Sequence, residues 1–225
     1  MEFLFTPGFW IGLFKIVWLD ILLSGDNAVV IALAARSLPP AQQRRAVALG
    51  AGAAVVQRIL LTLVAAWLLQ LPWLQIIGGL LLLWIGIQLF NENGGEERSQ
   101  KTRGSLWAAV RTILLADLVM SVDNVIAVAA AAQGNTALLI LGLAISIPLV
   151  IFGSTLIIRL MDRFPFIVVA GAALIGWVAG ETMVGDAALK HITADHHWMH
   201  YAAAALGALL VVTVGKARAK TAPTG

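Results

Sequence analysis

The stretch Asp20-Ile21-Leu22-Leu23-Ser24-Gly25-Asp26-Asn27, followed by the small apolar run from Ala28 to Ala35, decides how this chain is read. The same pattern returns 97 residues later as Asp117-Leu118-Val119-Met120-Ser121-Val122-Asp123-Asn124, again followed by an alanine-rich run to Ala132. A second echo, 93 residues apart, aligns Gly78, Trp84 and Gln88 with Gly171, Trp177 and Glu181. Self-similarity at a fixed offset marks a duplicated unit.

The surroundings of the motif are apolar. Of 225 residues, 60% are hydrophobic and only 12% charged, about half the charged share of a soluble domain. Apolar stretches of about 20 residues recur along nearly the whole chain, each long enough to cross a hydrocarbon layer of ~30 Å. The pI near 9.7 does not point to nucleic acid. The basic residues are few and lie in short connections, where membrane topology accounts for them. Without cysteine, disulfides, thiol redox chemistry and thiolate metal sites are excluded.

Spans are expected near 9–35, 45–70, 73–91, 105–132, 136–160, 165–185 and 198–215. Leu38-Pro39-Pro40, Leu71-Pro72-Trp73, Asn91 to Gly104, Gln133-Gly134-Asn135 and Phe164-Pro165-Phe166 punctuate them. The first run lacks a basic leader and carries Lys15 and Asp20, so it reads as a retained span and not a cleaved signal peptide. Seven spans place Arg36, Arg44, Arg45, Arg98, Lys101, Arg103, Arg159, Arg163, Lys216, Arg218 and Lys220 on one side and Lys190 alone on the other. Eleven basic residues against one put the N-terminus outside and the C-terminus in the cytoplasm of a bacterial inner membrane.

The expected fold is therefore an all-α polytopic membrane protein of seven transmembrane helices. Residues 1–225 form one membrane domain, with a first three-helix repeat at 9–91, a second at 105–185 and an extra seventh helix at 198–215. Three spans per copy force the repeats into opposite orientations, an architecture of secondary transporters whose site lies where the halves meet near the midplane.

Asp20 and Asp117 fall about halfway along their spans, with Asp26 and Asp123 further along. A carboxylate at a helix centre costs about 2.5–3.5 kcal/mol, so four oppose insertion by ~10 kcal/mol. Such groups line ion paths more often than they glue helices together. Asp20, Ser24 and Asn27 share one helical face. Asp26 falls off it unless the helix unwinds at Gly25, which would turn it inward. Val122 replaces that glycine in the second copy. Carboxylates, hydroxyls and amides at one depth make a hard-oxygen site for magnesium, calcium or manganese. Met120 adds a candidate thioether donor that favours manganese, although packing is the commoner role of such a methionine.

Within the spans, leaving aside Arg111 and Arg159 toward span ends, Asp20, Asp26, Asp117, Asp123 and Glu181 stand against Lys15 and Arg58, a balance of −3 that a divalent ion reduces to −1. Residual negative charge favours protonation of an acid, which makes proton-for-metal exchange a natural mechanism. Glu181, opposite the neutral Gln88, is the candidate proton carrier. Arg58, with no counterpart in the second half, is the candidate internal counter-ion. Lys15 either snorkels or pairs with Asp20.

These motifs resemble the TerC family of integral membrane proteins over residues 9–215, in its compact bacterial branch. The resemblance implies the seven-helix fold of the lysine-exporter superfamily and export of manganese. It carries Asp20, Ser24, Asp26, Asn27, Asp117, Met120, Ser121, Asp123 and Asn124 to the metal site, with Glu181 a weaker match. No permanently bound cofactor is expected, since the divalent ion is the transported substrate. The expected partners are that ion and the bilayer, and the oligomeric state is left open, with a homodimer among the options.

Three alternatives bear on this reading. His191, His196, His197 and His200 lie beside Asp186 and Asp195. They form either a metal or pH site or, as the preferred reading, a solvated loop. An intramembrane aspartyl enzyme would also place aspartates on two helices, but the Tyr-Asp and Gly-x-Gly-Asp signatures of presenilin-type proteases are absent. Export of a cationic amino acid fits the wider superfamily. No phosphate-binding loop or zinc-protease motif appears, so ATP-driven transport by this chain and enzyme activity are not expected.

Overall fold

The computed structural model describes residues 7–68, 71–93, 105–132, 135–193, 196 and 198–221, and all regular structure among them is helical. The elements are α1 (Pro7–Leu23), α2 (Gly25–Arg36), α3 (Pro40–Leu68), α4 (Leu74–Asn93), α5 (Leu106–Ala132), α6 (Thr136–Arg163), α7 (Phe166–Val184), α8 (Lys190–Thr193) and α9 (Trp198–Thr221). Helix occupies each of the seven apolar stretches. Among the described residues five helices are long and apolar enough to cross a membrane, or six if the bent pair α1–α2 counts as one. Of the two helices outside that count, α8 is a single turn and α5 has 27 residues and so extends ~40 Å.

The first stretch is not one helix. It bends by 50° between α1 and α2, with Ser24 at φ −106° and ψ 7° between them. In the second copy α5 runs unbroken through Ser121, Val122 and Asn124. The bend thus falls beside the glycine copy of the motif, and the valine copy stays straight. Two ends moved for local reasons. Helix α3 starts at Pro40, since proline suits the first helical position, and α9 continues past Lys216 and Arg218 to Thr221.

Helix pairing follows the duplication. The α1–α2 unit packs on α6 as α3 packs on α5, while α4 lies against α7 and α3 against α6. Helix α9, which has no counterpart, packs on α7 and α4. Gly176 and Gly180 of α7 meet Gly207 and Ala203 of α9 so closely that a Cβ on either α7 glycine would overlap the opposing backbone carbonyl. Small residues serve this purpose where no hydrophobic drive separates helix from lipid. Outward, Trp10, Phe14 and Trp18 of α1, Phe152 of α6 and Leu206 of α9 are exposed, as side chains facing acyl chains would be.

The connections sort into two ends. Arg36 at the end of α2 donates from Nε to Asp162 Oδ1 at 3.0 Å near the end of α6, which places these basic ends together. The far end is pinned by Asp186, which the sequence reading treated only as a neighbour of the histidines. Its Oδ1 accepts the backbone N–H groups of Trp73 and Ala188 at 2.9 and 2.8 Å. Its Oδ2 accepts those of Gln75 and Ile76 at 2.9 and 3.2 Å. One carboxylate thereby caps the start of α4 from across the chain and holds Trp73 at a φ of 71°. Burial alone would raise the Asp186 carboxyl, but the four N–H donors outweigh it and hold the group below the usual carboxylate range.

Candidate functional site

Arg58 sits in the middle of α3 on a face shared with Ala51, Ala54 and Val55, the i, i+3, i+4, i+7 positions of one helical stripe. The alanines leave room in front of it, and both motif copies converge there. Arg58 Nη1 binds Asp20 Oδ1 and donates to Ser24 Oγ at 2.7 Å. Its Nη2 donates to Asp117 Oδ1 at 2.7 Å, and its Nε to Ser121 Oγ at 3.2 Å. All three guanidinium nitrogens are used, on one aspartate and one serine from each copy. Asp20, Asp117, Ser24, Ser121 and Arg58 are each 4% exposed or less.

The local structure explains the aim of these groups. Asp20 lies one turn before the bend and Ser24 at it, so both hydroxyl and carboxylate leave the helix surface toward α3. Ser24 makes no cap hydrogen bond with its side chain; its hydroxyl donates to Asp20 Oδ1 at 3.4 Å and accepts from Arg58 Nη1. Asn124 donates to the carbonyl of Leu23 at 3.0 Å, the last residue of α1, so the second copy satisfies backbone that the bend in the first one frees.

The charges are not fully matched. Asp20 Oδ2, Asp117 Oδ2 and both amide atoms of Asn27 are buried without hydrogen-bond partners. Each such atom costs about 1–3 kcal/mol, more if charged. They collect at one place: Asp20, Ser24, Asn27, Arg58 and Asp117 line a cavity of about 20 Å³, closed on its apolar side by residues including Ile31, Ile147 and Val150. That volume admits a single water-sized species. Three of the unpaired atoms are oxygen acceptors, two of them on carboxylates, and all belong to residues that line this opening. Apart from Arg58, the lining residues of α3 and α6 went unread in the sequence, although the Ala51-Ala54-Val55-Arg58 spacing was a signal for the former.

Other expected site residues lie elsewhere. Asp26 is half-buried at the start of α2 and accepts its neighbour's N–H, that of Asn27, at 2.8 Å, so it is not turned into the cavity as the unwinding argument anticipated. Met120 packs in the main apolar core with Val119, Ile158 and Leu82, where its thioether is packing and not a donor to the cavity. Glu181 is exposed on α7 and Lys15 exposed on α1, which settles Lys15 against pairing with Asp20, the partner of Arg58. The side chain of Asp123 lies outside the described residues, as do Asp195 and His197. His191 and His196 are exposed, and among the described residues no group of three or more His, Cys, Asp or Glu forms a metal cluster.

Long apolar helices around a buried arginine–aspartate centre define a multi-pass integral membrane protein of transporter-like build. The chain belongs to the TerC family: the description "Integral membrane protein TerC family" matches residues 5–222. It is similar to the membrane protein YjbE of Bacillus subtilis, 46% identical over 186 residues that cover 83% of this chain and 85% of YjbE. It is also similar to the membrane protein YceF of the same organism, 30% identical over 83% of this chain and 75% of YceF. The inner membrane protein YoaE of Escherichia coli is 27% identical over 95% of this chain, which accounts for 44% of YoaE. No solved structure matches the chain.

Proposed function

We propose that this protein is a secondary transporter that exports a divalent metal ion, manganese foremost, through the cavity between Asp20 and Asp117. The observation that carries the reading is the set of unpaired buried oxygens on Asp20, Asp117 and Asn27 around a cavity of single-ion size. With Ser24 and Ser121 they supply five hard oxygen donors drawn from both motif copies, a set suited to manganese, magnesium or calcium. With Met120 in the core, the choice of manganese rests on the family resemblance. The paired packing of α1–α2 on α6 and α3 on α5 supports inverted repeats, with α5 as a spanning helix and the site at their junction. The basic bias supports an N-terminus outside and a C-terminus in the cytoplasm.

Two observations favour this over the rivals. A cavity of about 20 Å³ suits a single ion better than an amino acid, which would need this site to widen. A proteolytic dyad needs two carboxylates sharing one proton, whereas here Arg58 stands between them. Titration calorimetry of the purified protein should show manganese binding that a large excess of lysine leaves unchanged. Displacement of manganese by lysine would transfer the site to a cationic amino acid.

A further inference from the structure

Resting on that reading of the site, we infer that Arg58 is a tethered stand-in for the transported cation, occupying its place in the empty carrier and leaving when metal arrives. The guanidinium holds one aspartate and one serine from each motif copy, four of the five residues on which the proposed metal site draws. Cation–oxygen distances of about 2.0–2.6 Å require those oxygens to converge on one point, and a planar guanidinium between them prevents it. Guanidinium and metal therefore exclude each other.

Charge points the same way. Two carboxylates and one guanidinium leave the buried centre at −1. A divalent ion added with Arg58 in place would make it +1, while one that replaces Arg58 makes it neutral. A buried centre is least costly when its charge is matched. Arg58 is also where the two repeats differ. The position 97 residues on is Thr155 of α6, whose hydroxyl is taken up by the Ile151 carbonyl, so only one half carries a cation at this position.

The consequence is kinetic. A carrier that returns empty must hide two buried carboxylates, and Arg58 does so without a proton or a second ion entering the site. Glu181, exposed on α7, is then not needed as a carrier of charge. Net efflux, which includes the empty return, depends on Arg58. Metal-for-metal exchange, in which the carrier always returns loaded, depends on it far less.

The test uses the full-length protein in liposomes with manganese alone. Arg58→Gln should bind manganese at least ~10-fold more tightly by calorimetry, since the competing occupant is gone, and its net efflux should fall at least ~10-fold further than its manganese–manganese exchange. Arg58→Lys keeps a tethered charge without the planar fork; it should bind manganese more tightly than wild type and recover net efflux relative to Arg58→Gln. Should Arg58→Gln not fold, the affinity of Arg58→Lys decides alone. Weaker manganese binding in either folded variant, or equal loss of net efflux and exchange, overturns the inference and leaves the metal reading standing. A wild-type protein that binds no manganese removes both.

Discussion

Asp117→Asn should abolish measurable manganese efflux while leaving the protein folded in the membrane, and Asp20→Asn should do the same. Each change deletes one of two carboxylates that reach the cavity but keeps its shape. Truncating one partner of a buried charged contact costs 2–5 kcal/mol, or a loss of at least ~30-fold in metal affinity. Folding should survive, because Arg58 retains the other aspartate and the centre moves from −1 to neutral. The double variant Asp20→Asn/Asp117→Asn behaves differently. It strands the guanidinium without a carboxylate in a site 4% exposed, a loss of about 3–5 kcal/mol, and should be recovered in the membrane at much lower yield. Efflux from everted vesicles together with the amount of inserted protein separates the two effects. Efflux at the wild-type rate in either single variant would sink the site assignment.

Gly180→Leu should disrupt the bundle without touching the site. A Cβ at Gly180 already overlaps the Ala203 carbonyl of α9, and backbone cannot yield as a flexible side chain can. Overpacking costs typically 1–3 kcal/mol and more when helices must part, so α9 should detach from α7 and the thermal midpoint in detergent should fall by several degrees or more. Gly25→Ala makes the contrast. No atom lies within 4 Å of a Cβ at Gly25, and its midpoint should stay within a degree or two of wild type. A Gly180→Leu midpoint equal to that of wild type would show that α7 and α9 do not meet closely.

That contrast also shows where the sequence was legible. Depth along a helix is written in the chain: the count of residues from the marked breaks set Asp20 and Asp117 about halfway along their spans and Arg58 well inside its own. Rotation about the helix axis is not. Met120 and Ser121 are adjacent, yet a step of 100° sends one into the apolar core and the other to Arg58. Glu181 makes the same point: its sequence position puts it in α7, but only the structure shows that its side chain is exposed there. Gly25 marked the bend correctly, but the bend did not bring Asp26 inward, because its carboxylate found the nearest N–H of α2. Asp186 was hidden for another reason. Its partners Trp73, Gln75 and Ile76 are over 100 residues away, and no local spacing announces a cap supplied from across the chain.

The most direct test of the central claim is an anomalous-scattering map from crystals of the wild-type protein grown with manganese and measured at its absorption edge. The account predicts one strong peak between Asp20 and Asp117, within coordination distance of Ser24 or Ser121, and Arg58 moved away from both carboxylates. A map with no peak there, or with manganese only beside His191 and His196, would contradict it.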